Sequence, residues 1–141
     1  MTGEIRMTEG VHRAILEQVG TREPETGGML GMEGDVITRF WFDAGGRSMP
    51  DAYLPDTAGC EAVINGPWQA QGVRFCGFVH SHRDTPCPSA PDRRYMQQLC
   101  QAMGAPEMLL GILYGGAVHL WRMRPGEDGF CRAEETPLSL T

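Results

Sequence analysis

His80 and His82 stand two apart in the stretch Gly77-Phe78-Val79-His80-Ser81-His82, and Asp92 follows twelve residues after His80. Imidazole nitrogen and carboxylate oxygen are the donors that zinc takes most readily, beside thiolate. Along an extended strand the side chains alternate, so His80 and His82 point to one face, about 6.6 Å apart. That spacing lets both rings converge on one ion at the end of the strand, with Ser81 pointing the other way. Two histidines and one aspartate leave the fourth tetrahedral position open for water, as in catalytic zinc sites, whereas structural sites are closed by four protein ligands. An ion so held lowers the pKa of that water and polarises a carbonyl.

Ser89-Ala90-Pro91-Asp92 admits a second reading. A serine with an acid three residues on is an N-terminal helix signature, in which serine caps the first turn and the acid answers the helix dipole. That role alone accounts for both residues, and an H-x-H pair alone is a weak signal. The two readings are compatible. A helix start is a rigid platform for Asp92, and it lets Ser89 aim its hydroxyl at the same place.

These groups need a scaffold, and 141 residues suit one domain spanning 1–141. A short strand-like piece at 4–7 precedes a helix capped by Thr8 and running to about Val19, with Val11, Ile15, Leu16 and Val19 on one face and Gly20 at its end. Residues 27–32 read as a buried strand entered through glycines, 33–35 as a turn, and 36–42 as the hairpin partner. Residues 44–50 read as loop and 53–55 as a short extended piece. A helix from Asp56 or Thr57 to about Gln71 is interrupted at Gly66-Pro67. The histidine strand covers 73–82, the loop 83–88, and the following helix 89–103. A hairpin, 108–114 and 117–123 around Gly115-Gly116, precedes a polar tail with one short edge strand at 133–138. The expected class is α+β or mixed α/β around one sheet. His12 and His119 read as surface or packing residues, and Cys76 as a core residue on the histidines' face.

Composition narrows the partners. The net charge of −6 argues against nucleic acid, which needs clustered lysine and arginine. No apolar run approaches the roughly 20 residues of a membrane span. The first residues carry Glu4, Arg6 and Glu9 without an apolar core, unlike a secretory signal. Five cysteines without a CxxC pair give neither a zinc ribbon nor a thioredoxin motif. The expectation is a reduced, cytoplasmic protein.

Taken together, His80-Ser81-His82 … Ser89-Ala90-Pro91-Asp92, preceded by Glu25-Thr26-Gly27-Gly28-Met29-Leu30-Gly31, resembles the JAMM motif of the MPN-domain zinc metalloproteases. The resemblance covers most of the chain, and the element order follows the family. It implies a single MPN-like domain with a mixed, mostly antiparallel sheet flanked by helices. It implies Zn2+ held by His80, His82 and Asp92. By the same resemblance Glu25 is the general base and Ser89 donates to the oxyanion. From the residues alone Glu25 is an ordinary loop carboxylate, with Glu23 as a competitor, and the glycine-led strand after it singles it out. The implied activity is isopeptide or peptide hydrolysis after the C-terminal glycine of a ubiquitin-like or sulfur-carrier protein. Compact bacterial or archaeal members are the nearest type, and segment 47–55 is a candidate partner for the extended substrate tail. The alternatives are a non-catalytic MPN scaffold that binds partner proteins, and a small-molecule zinc amidohydrolase. The pattern departs from the family in one loop. Six residues separate His82 from Ser89 where seven are usual, and Arg83 stands in place of proline. A shorter loop displaces Ser89 or Asp92, and Cys87 within it is a candidate fourth ligand.

Overall fold

The computed structural model describes residues 3–19, 26–49 and 52–141. β1 (Ile5–Met7) leads into α1 (Glu9–Gln18), which Thr8 caps by accepting from the Val11 N–H at 3.2 Å. β2 (Gly27–Glu33) and β3 (Val36–Phe42) form the expected hairpin. The stretch read as loop contains a strand: β4 (Arg47–Met49) pairs with β5 (Ala52–Leu54) as a separate two-stranded ribbon. Asp56 caps α2 (Thr57–Val63), which continues through a π-helical turn (Ile64–Trp68) into α3 (Gln69–Gln71). Gly66, just before Pro67, leaves helical geometry (φ −107°, ψ −105°), as a proline inside a helix demands. β6 (Arg74–Ser81), α4 (Ala90–Met103), β7 (Met108–Tyr114) and β8 (Ala117–Arg124) follow.

The tail is where the expected architecture fails. Instead of one edge strand at 133–138 there are two, β9 (Arg132–Thr136) and β10 (Leu138–Leu140), divided at Pro137. Their places in the eight-stranded sheet are opposite: the order is β10-β1-β3-β2-β6-β7-β8-β9. In a flat sheet these outer strands would lie about 34 Å apart. The Cα atoms of Thr136 and Leu138 can be separated by at most about 7 Å. The sheet therefore curls until its edges nearly meet. Ile5 N–H donates to Pro137 O at 2.9 Å, holding β10 against β1, and Arg122 Nη2 of β8 donates to Gly3 O at 3.1 Å across the seam. The MPN-like arrangement, a sheet flanked by helices, is thus corrected. The domain is a mixed α+β structure dominated by a nearly closed, barrel-like sheet with few helices.

Both faces of the sheet are buried. Met7, Val11, Ile15, Leu30, Ile37, Val79, Leu109 and Leu113 gather with α1 on one face. Met29, Trp68, Phe75, Phe78, Met96, Leu110 and Ile112 gather with α2 and α4 on the other. Cys76 belongs to the first group, away from the histidines' face. The cause is a β-bulge: Leu30 pairs with Gly77 but Gly31 with Phe75, so Cys76 is skipped and the alternation shifts by one. Its thiol donates to Leu30 O at 3.4 Å, and burial raises its pKa to about 12.

Beside the bulge, Gly77 presses so closely on β7 that a Cβ would overlap the Leu109 carbonyl. Gly77→Ala is expected to cost about 1–3 kcal/mol of stability, the usual range for overpacking. Urea denaturation reads this as a lower midpoint with an unchanged slope; an unchanged midpoint shows that the strands separate freely there.

Candidate metal centre

β6 and β7 run parallel, with His80 opposite Ile112. Parallel neighbours require a crossover, and here it carries α4. The chain leaves the end of β6 at the histidines, turns through 83–88, and enters α4 beside them. His80 lies inside the ladder, across from Gly27 of β2, and is 3% exposed. His82 lies one residue past the strand, its N–H bonded to Leu113 O at 3.0 Å.

Asp92 occupies the first turn of α4. Ser89 and Asp92 form a full capping box: Asp92 N–H donates to Ser89 Oγ at 3.1 Å, and Ser89 N–H to Asp92 Oδ2 at 2.9 Å. The helix is also clamped to the segment between β8 and Arg132. Arg93 Nε donates to Cys131 O at 2.8 Å while Cys131 N–H donates to Arg93 O at 3.0 Å. One turn on, the Gln97 amide exchanges two hydrogen bonds with the Gly126 backbone, at 2.9 and 3.1 Å.

The three expected ligands meet. His80 Nε2 is 3.0 Å from Asp92 Oδ1, and His82 Nε2 is 3.1 Å from Asp92 Oδ2. One donor atom from each of His80, His82 and Asp92 lies within 4.8 Å of the other two, so this buried group could hold a metal ion. Each Nδ1 faces a backbone carbonyl: Ser81 O at 3.2 Å for His80 and Thr85 O at 3.1 Å for His82. A carbonyl only accepts, so both Nδ1 atoms carry the proton. Nε2 is then a lone pair in each neutral ring, and it confronts a carboxylate oxygen that also only accepts. Positive charge must lie between them. Two imidazolium rings would supply it, but their centroids are 4.7 Å apart, and like charges in a buried site oppose each other. One divalent cation meets the need with both rings neutral. Carbonyl bonds at the remote ring nitrogen are also the usual outer support of metal-binding histidines.

Burial opposes the charge on Asp92. The interactions with the His80 and His82 rings and with the Ser89 N–H outweigh it, holding the carboxyl well below the usual carboxylate range.

Ser89 stands at the cap; its oxygen accepts from Asp92 N–H, leaving the hydroxyl proton to be donated elsewhere. Glu25 lies outside the described residues. Its neighbour Thr26 is fixed at the site's strand, with Ser81 N–H donating to Thr26 O at 3.1 Å. Cys87 is exposed and is not part of the ligand group. The six-residue loop has not drawn Asp92 away from either histidine. Residue types could not reveal the carbonyls of Ser81 and Thr85, since every residue carries one.

No family model matches the chain, and no curated protein does. Among solved structures, the solution structure of protein DSY2949 from Desulfitobacterium hafniense is similar, with 21% identity and a TM-score of 0.71 over 97% of this chain and 92% of that one. At this identity the likeness concerns the fold alone.

The protein is expected to bind one divalent transition-metal ion per chain, with a rise in melting temperature that a chelator reverses. At an ion concentration of 100 Kd the stabilisation is about 2.7 kcal/mol. His82→Ala and Asp92→Asn should each lose most of it. Calorimetry showing the same metal response in both variants as in the parent would place the ion elsewhere.

Proposed function

We propose that the chain is a zinc-dependent isopeptidase or peptidase of the JAMM type, cutting after the C-terminal glycine of a ubiquitin-like or sulfur-carrier protein. The observation that carries this reading is the convergence of His80 and His82 Nε2 on the two oxygens of Asp92, at 3.0 and 3.1 Å, with Ser89 capping the helix that presents Asp92. The ligands are His80 Nε2, His82 Nε2 and the Asp92 carboxylate. Bound there, zinc supplies a Lewis acid and makes water a competent nucleophile near neutral pH. Glu25 takes a proton from the attacking water and returns it to the leaving amine nitrogen. The Ser89 hydroxyl donates to the oxygen that gains charge as the scissile carbonyl is attacked. His80 and Asp92, buried at 3% and 8% exposure, keep bulk water from the ligand atoms.

The shape of the site favours a protein tail over a small molecule. The cavity that His80 and Asp92 share with Leu54, Pro55, Tyr95 and Met96 holds only about 70 Å³. Pockets that enclose a small ligand run to about 300–1,000 Å³. The small volume favours a substrate that lies across the surface. The β4–β5 ribbon stands apart from the large sheet, and β5 ends at Leu54, in the wall of this cavity. Its short strands offer main-chain groups to an extended tail.

Incubation with ubiquitin-like fusion proteins, with and without a chelator, tests the proposal by mass spectrometry. A new C-terminus ending in glycine, formed only without chelator, is the expected result. Zinc-loaded protein that leaves every such fusion intact would falsify the substrate class. Glu25→Gln should keep its zinc and lose about 100-fold or more in rate, the scale of general acid–base catalysis. Full activity in that variant assigns the base elsewhere.

A further inference from the structure

His80 and His82 are held in different ways. The Nδ1 of His80 is tied to Ser81 O, within the β6 ladder, whereas that of His82 is tied to Thr85 O, in the loop. The orientation of the His82 ring therefore depends in part on the loop. Within 83–88 a local hydrogen bond braces it, Cys87 N–H to Thr85 Oγ1 at 3.2 Å. A further support comes from across the fold. Trp121, on β8 opposite Leu110 of β7 and Glu135 of β9, donates its indole Nε1–H to Pro86 O at 3.0 Å.

Pro86 follows Thr85 directly, so the Thr85 carbonyl belongs to the peptide unit that enters Pro86. That unit is planar and rigid. The Pro86 ring fixes its own φ as well. Holding the Pro86 carbonyl thus limits how far the Thr85 carbonyl can swing. A half-buried indole N–H needs a partner in any case, and here the partner lies one peptide away from the support of a metal ligand.

We infer that Trp121 is a positioning residue for the metal centre: through Pro86 and Thr85 it orients the His82 ring so that Nε2 faces Asp92. The inference rests on the metal-site reading above. It accounts for a short loop ending in a well-formed site, since a tether to β8 steadies the loop carbonyl that holds the His82 ring.

Trp121→Phe keeps an aromatic ring and removes the donor. Two readouts separate positioning from bulk packing. The first is the imidazole NMR spectrum of the metal-free protein. The His82 Nδ1–H signal should be lost to solvent exchange in the variant, with the His80 signal retained. The second is cobalt(II) affinity, by competition with a chromophoric chelator, together with the cobalt visible spectrum. Affinity should fall about 10- to 100-fold, as for other outer supports of metal ligands, and the band shape should change. An unaltered His82 signal with cobalt affinity within about twofold of the parent overturns the inference. If the parent protein binds no cobalt, the zinc reading fails and the imidazole spectrum alone decides the tether. If the phenylalanine variant does not fold, benzothienylalanine at 121 keeps the bicyclic shape without the N–H and serves in its place.

Discussion

An imidazole lone pair and a carboxylate oxygen attract only across a positive charge, and around Asp92 that condition holds twice. Asp92 Oδ1 faces His80, while Oδ2 faces His82 and accepts from the Ser89 N–H. The carboxylate has little freedom to turn away, because the same oxygen that meets His82 also caps α4. The cap and the centre therefore reinforce each other. The positive end of the helix stabilises the carboxylate, and the carboxylate holds the helix start against the strand end. Replacing Asp92 by a residue that only caps would leave the two rings without the carboxylate that completes the ligand group.

The position of this cluster follows from topology. A parallel β6–β7 pair needs a crossover helix, and the helix must begin near the carboxyl end of β6. Sites at such strand ends are common because strand termini and helix N-termini converge there. The barrel-like closure contributes rigidity of another kind. Strands β9 and β10, joined by Pro137 alone, tie the first strand to the last, so β8 cannot drift from the rest of the sheet. β8 carries Trp121, and through it the closure reaches the loop beside His82.

How much of this was legible in the sequence depended on the range of each interaction. The H-x-H geometry and the caps at Thr8, Asp56 and Ser89 are local, set by strand alternation and by side chains reaching three residues along the chain, and the residue types alone pointed to them. The face of Cys76 was misread because one bulge, forced by pairing with β2, shifts the alternation. Strand β4 was hidden because Arg47-Ser48-Met49 lacks the β-branched pattern that marks β3. The edge switch carried a visible sign in Pro137, which cannot donate to a ladder. Which edge each half joins is a long-range matter, however, and with it went the expectation of a sheet flanked by helices. The Trp121–Pro86 contact links residues thirty-five apart and left no mark on either segment alone.

The short loop shows why spacing is a weaker constraint than anchoring. If 83–88 alone determined where α4 begins, one residue fewer would pull Asp92 off the histidines. Instead α4 is set by Arg93 and Gln97, whose bonds to Cys131 and Gly126 tie it to the segment between β8 and β9. The loop needs only to bridge two places already fixed. Prolines at 86 and 88 restrict φ at two of its six positions, so it loses less entropy on ordering than a freer linker would. A loop of this kind tolerates a change of length as long as its ends stay anchored. The sensitive element is then the direction of the Thr85 carbonyl, on which the His82 ring depends.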